Sequence, residues 1–151
     1  MDVLGWRGTL VRGFRVLGVQ VDAVVEIDEQ AHARRGEPML DHDTLAMWEW
    51  PGSAAPSVTK LVGVLSREPD WRKGLRAVGR MRGFCAGAIV GRDDEACRLE
   101  CAYFGVSILD ADGELIQAGS AERAPRARRR TLDRWVEELA YGRLIDDGVL
   151  A

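Results

Sequence analysis

The stretch MLDHDTLAMWEWPG, residues 39–52, gathers one histidine, three acids and two tryptophans. Those residue types could build a metal centre, with His42 beside Asp41 or Asp43 and help from His32 and Glu37. Zinc takes about four nitrogen, oxygen or sulfur ligands at roughly 2.0–2.3 Å, held on a rigid element. Here the two histidines stand ten positions apart in a polar segment, with no HExxH or comparable spacing. We therefore expect no metal, and read Asp41 and Asp43 as capping or loop acids. An enzyme with a site around His32, His42 and the nearby acids remains one reading of the stretch.

The cysteines suggest a second chemistry. Cys97 and Cys101 would share one face of a helix, but a strand, which we prefer here, separates them by about 13 Å at 3.3 Å per residue. Cys85 lies in the glycine- and alanine-rich run GFCAGAIVG. Free cysteine commonly serves as a small core hydrophobe. A nucleophilic cysteine needs a base, and both histidines belong to another part of the sequence.

DADG, at 110–113, carries acids in a calcium-like order, yet its glycine comes too early for an EF-hand loop. Only these four residues match the LAGLIDADG motif of homing endonucleases, and the residues before them read as a strand. An Asp-Gly pair between two apolar runs is a hairpin signal, which accounts for all four. GxxxxGK[ST], GxGxxG and GxSxG are absent. We expect no cofactor and name no catalytic residue.

Charge is more informative. Arginine outnumbers lysine nineteen to two, a bias that points to a GC-rich bacterial or phage genome. Two segments, 67–82 and 123–134, hold twelve of the twenty-one basic residues. In the first, Arg72, Arg76 and Arg80 are four apart and line one helical face. In the second stand Arg126, Arg128, Arg129 and Arg130. An arginine surface of this kind suits phosphates, although a pI near 5.5 is low for a nucleic-acid domain. Acids concentrate elsewhere. Glu26 and Asp28 project from an extended strand, Asp41 and Asp43 follow, and Trp48 and Trp50 close the tract. Acids beside aromatic anchors suit a basic protein partner, with charge steering the encounter and tryptophan supplying affinity.

The elements that must position these residues follow from periodicity. Leu17, Val19, Val21, Ala23, Val25 and Ile27 alternate along a strand over 17–28. Residues 29–43 read as a polar loop with room for one helical turn. Strands are expected over 44–50, 58–66, 83–91 and 96–109, with a further strand after the DADG turn. Asp70 caps a helix with the stripe Trp71, Leu75, Val78 and Met81, weakened by Gly74 and Gly79. Thr131 caps a last helix carrying Leu132, Trp135, Val136, Leu139 and Ala140, which Gly142 should break or bend.

The sum is a single α+β domain over 1–151. It has an antiparallel sheet of about six strands, an inserted helix and a C-terminal helix packed on one face. At 46% hydrophobic residues, with no apolar run near 18 and no signal-peptide pattern, we expect a cytoplasmic globular protein without a membrane partner. An odd number of cysteines fits reduced thiols. The function expected is non-catalytic binding of another macromolecule, as an immunity- or inhibitor-like protein masks a basic partner. Nucleic-acid association through the arginines is the alternative. A homo-oligomer through sheet-edge pairing is also compatible with the pattern.

Overall fold

A computed structural model describes residues 2–125 and 130–151. Among these residues six strands form one sheet in chain order: β1 (Thr9–Val16), β2 (Val19–Ile27), β3 (Thr59–Ser66), β4 (Ala86–Val90), β5 (Ser107–Leu109) and β6 (Leu115–Gln117). The pairs β1/β2, β2/β3 and β5/β6 are antiparallel, whereas β3/β4 and β4/β5 are parallel. The helices are α1 (Glu29–Arg35), α2 (His42–Met47), α3 (Trp71–Met81), α4 (Glu95–Phe104) and α5 (Arg130–Asp146). This is the α+β architecture that the patterning predicts, with the C-terminal helix against the sheet.

One face of the sheet carries the main core. Val21, Ala23 and Val25 of β2, Val64 of β3, Ile89 of β4 and Ile108 of β5 pack there. Onto them come Leu75, Val78 and Met81 of α3, Cys97 and Cys101 of α4, and Val136, Ala140 and Leu144 of α5. Each fully buried side chain of this size stabilises the fold by about 1.5–3 kcal/mol. Packing is close where α3 crosses β4: a Cβ at Gly87 would stand 2.4 Å from Val78. The opposite face is covered more thinly, by Leu4 and Trp6 over Leu65, Ala88 and Leu109.

Local chemistry accounts for each place where the structure departs from the sequence pattern. The strand expected over 17–28 is β2, begun two residues later because Leu17 (φ 50°) and Gly18 (φ 75°) form the turn that joins it to β1, a strand the pattern does not reveal. Two consecutive residues with positive φ make the type I′ turn that matches strand twist; for Leu17 the left-handed conformation costs about 1 kcal/mol. In β1 the inward residues Val11 and Phe14 are three apart because a bulge intervenes, with Gly13 at φ 59°. That spacing hides the strand from a period-two search.

Residues 44–50 are not a strand. Asp41 accepts the Thr44 N–H at 2.9 Å and so caps α2, burying Leu45, with Trp48 as the C-cap. Residues 96–109 begin as a helix, not a strand. Asp94 caps α4, Gly105 ends it at φ 64°, and Cys97 and Cys101 face the core one turn apart. The segment 29–43 contains a whole helix, α1, between the Asp28 cap and Gly36. With α4 restored, β3–α3–β4–α4–β5 is a double parallel crossover, where the sequence reading saw no βαβα alternation. Gly142 does not break α5, because the stripe Val136, Ala140, Leu144 continues past it. The DADG segment does connect two antiparallel strands: Asp110 accepts the N–H groups of Asp112 and Glu114, each at 2.9 Å.

Candidate functional site

Two surfaces collect the charged residues, and they use them differently. The first lies where α1 and α2 meet α5. Arg35 reaches Glu138 through both terminal nitrogens, at 2.6 and 2.8 Å, and Glu138 also accepts the Met39 N–H at 2.7 Å. Arg134 approaches the same carboxylate at 3.4 Å and donates to the Ala55 carbonyl at 2.8 Å. Glu138 is 1% exposed, so this is a buried, shared ion pair. Trp48 is held by both guanidinium groups, which lie 5.3 Å (Arg35) and 4.7 Å (Arg134) from its ring. Ser57 donates to Glu137 at 2.6 Å; burial nevertheless raises the Glu137 carboxyl above its ordinary value.

Around this anchor stand the acids and histidines singled out in the sequence. Asp28 caps α1 through the Ala31 N–H at 2.9 Å. Asp41 caps α2, and its hydrogen bonds from Thr44 lower its pKa. Glu26 faces Lys60 at 3.7 Å, and Asp43 is fully exposed in the first turn of α2. His32 is committed to the fold, one nitrogen to the Tyr141 hydroxyl at 2.7 Å and the other to the Ala151 carbonyl at 2.8 Å. His42 projects into solvent beside Asp43. The two histidines therefore serve different surroundings, and among the described residues no group of His, Cys, Asp and Glu could hold a metal ion. Beside these exposed polar groups the segment also leaves three large apolar side chains outside: Leu40 is 48%, Met47 65% and Trp50 74% exposed.

The second surface is a cleft of about 490 Å³ between the β1–β2 hairpin and α3, at the carboxyl end of β3. Asp22 sits in it, accepting the Gly13 N–H at 3.0 Å and the Arg67 guanidinium at 3.0 Å. Lys73 and Ala77 line its α3 wall, and Arg80 reaches toward the turn at Gly18. Arg76 is exposed on the same arc of the helix. Arg72, grouped with Arg76 and Arg80 in the sequence, points elsewhere. It lies 4.4 Å over the Trp71 ring and 3.5 Å from Glu100. Arg126, Arg128 and Arg129 lie outside the described residues, and Arg130 is the first residue of α5.

The cysteines are core residues. All three are free and buried, and burial pushes Cys85 up to about 12 and Cys101, with Cys97 beside it, to about 12. At neutral pH these two thiols stay protonated and poorly nucleophilic.

Sequence reasoning missed the buried pair of Arg35 and Glu138, 103 residues apart in the chain. Only the Arg134 and Glu138 spacing of four offered a signal. It also missed Lys73 and Asp22 as cleft residues. The class that fold and site define is an α+β protein with a mixed sheet and an exposed aromatic segment. No protein-family model, curated protein or solved structure matches the chain. No helix among the described residues is long and apolar enough to cross a membrane.

Proposed function

We propose that this chain is a non-catalytic binding protein of bacterial or phage type that docks a basic protein partner through the α2 segment. One observation carries the reading: Leu40, Met47 and Trp50 are all exposed within eleven residues, among the acids Asp41 and Asp43. Monomeric proteins expose single apolar side chains routinely, but several on one short, fixed segment mark a contact surface. The segment is fixed by the Asp41 cap and by Trp48 between two arginines. Tryptophan and methionine supply contact energy at the centre of such an interface, and the acids at its rim steer a cationic partner. Masking a partner's basic site, as an inhibitor or immunity protein does, fits this arrangement. Buried, unpaired thiols fit a reducing cytoplasm.

The test is capture from native lysate with the full chain and with a Met47→Ser, Trp50→Ser variant, after nuclease treatment. A discrete basic protein retained by the first and lost by the second, at equal melting temperature, is the expected outcome. Equal retention by both would overturn the assignment to α2. A captured copy of the chain itself would replace the partner with a homo-oligomer.

A further inference from the structure

We infer that the cleft between the β1–β2 hairpin and α3 is a second binding site, for the phosphate backbone of a duplex nucleic acid. In α/β crossovers, ligands bind beyond the carboxyl ends of the strands. This cleft opens at the carboxyl end of β3, the first strand of the double parallel crossover. The cations on its α3 side distinguish it: Lys73 lines the cleft, Arg80 reaches toward Gly18 on its hairpin wall, and Arg76 stands outside it on the same helical arc. Lys73, Arg76 and Arg80 recur at spacings of three and four, which keeps them within one arc of α3. All three are exposed, and their side chains make no ion pair or hydrogen bond among the described residues. The acid inside the cleft is already neutralised: Asp22 is paired with Arg67 and only 14% of its side chain is exposed. Glu68, on the rim, subtracts one charge from the three that face outward.

Three cations strung along a helix match a polymer of repeating charge better than one compact anion. From Lys73 to Arg80 the axis rises about 10 Å at 1.5 Å per residue. Each strand of a duplex presents a phosphate every 3.4 Å or so along its axis, so the stripe meets about three. Among the described residues no aromatic side chain lines the cleft, so it lacks the stacking platform that single strands require. Contacts to phosphate without contacts to bases position a duplex and carry no sequence information. Binding is therefore indifferent to sequence and strongly dependent on salt.

The test is titration of a fluorescent 20-base-pair DNA duplex with the full chain between about 50 and 200 mM salt. Neutralising about three phosphates predicts a log–log slope near −2.7, an affinity loss of about 40-fold over that range. The variants Lys73→Gln, Arg76→Gln and Arg80→Gln should each reduce the slope by about one unit, while Arg34→Gln on α1 leaves it unchanged. Unaltered melting temperatures show that the variants remain folded. A salt-independent affinity, or a triple variant that binds like the parent chain, would overturn the site. So would tighter binding to a single strand of the same length, or to vesicles of anionic phospholipid instead of DNA.

Discussion

The α1–α2–α5 corner and the outer arc of α3 are both rich in arginine, yet they treat it in opposite ways. At the corner, Arg35 and Arg134 are spent on Glu138, on the carbonyls of Pro56 and Ala55, and on the Trp48 ring. On α3, Arg76 and Arg80 stand in solvent. A guanidinium loses little by lying at the surface, so its presence there costs the fold nothing and leaves it available. Burying one is expensive unless every partner is in place. The same residue type is structural where neighbours engage it, even though the buried Nε of Arg134 finds no hydrogen-bond acceptor among the described residues, and available for binding where they do not.

The sharpest way to break this contrast is Glu138→Ala. Removing Glu138 leaves the buried Arg35 uncompensated, while Arg134 keeps Glu137 at 3.8 Å, and the expected loss is about 3–5 kcal/mol in urea unfolding. Arg76→Gln, on the free face, should change stability by no more than about 0.5 kcal/mol. Equal losses in the two variants would erase the distinction.

A smaller effect separates the two sides of α3 itself. A Cβ at Gly74 would stand 3.0 Å from the Ser66 hydroxyl, whereas one at Gly79 meets nothing within 4 Å. Gly79→Ala should therefore stabilise the chain by about 1 kcal/mol, since alanine is the better helix former. Gly74→Ala should gain less, because β3 must yield. Thermal melts of the two variants decide, and a larger gain at Gly74 would contradict the packing.

The smallest effect concerns pH. Glu137 lies beside the buried pair, and burial raises its pKa above the ordinary 4.5. The folded state then holds its proton to higher pH than the unfolded state, so this group's contribution to stability falls as pH rises from about 4.5 through the raised value. Glu137→Gln keeps an oxygen for Ser57 and removes the charge. Its melting temperature should exceed the parent's at pH 7, and the gap should close by pH 4. A gap that widens on acidification would reverse the sign.

How far these contrasts could be read from the sequence depends on distance along the chain. The helix at 71–81 was legible because its cap, Asp70, and its stripe, Trp71 to Met81, are local. Its cationic arc was half legible: Arg76 and Arg80 stood out, but grouping them with Arg72 at strict fours passed over Lys73. The helix at 95–104 was lost because Cys97 and Cys101, with Leu99 between, mimic alternation, although Asp94 and Gly105 mark its ends. The candidate acids were correctly seen as capping residues at Asp41. Their setting was not visible, because the Arg35 and Glu138 pair joins segments that only tertiary packing brings together. Trp48 and Trp50, two residues apart, could not be told apart by period alone. On a helix end, one turns inward to the arginines and the other outward.

The bulge in β1 has a consequence for how copies of this chain meet. The sheet ends in β1 on one side and β6 on the other. The first is bent at Gly13 and flanked by the exposed Arg12 and Arg15; the second is three residues long. Long, flat borders with unused amide and carbonyl groups recruit further strands, and bends, charges and brevity prevent it. Among the described residues both borders are poor templates for a second copy, so crowding these molecules should not drive them into fibres.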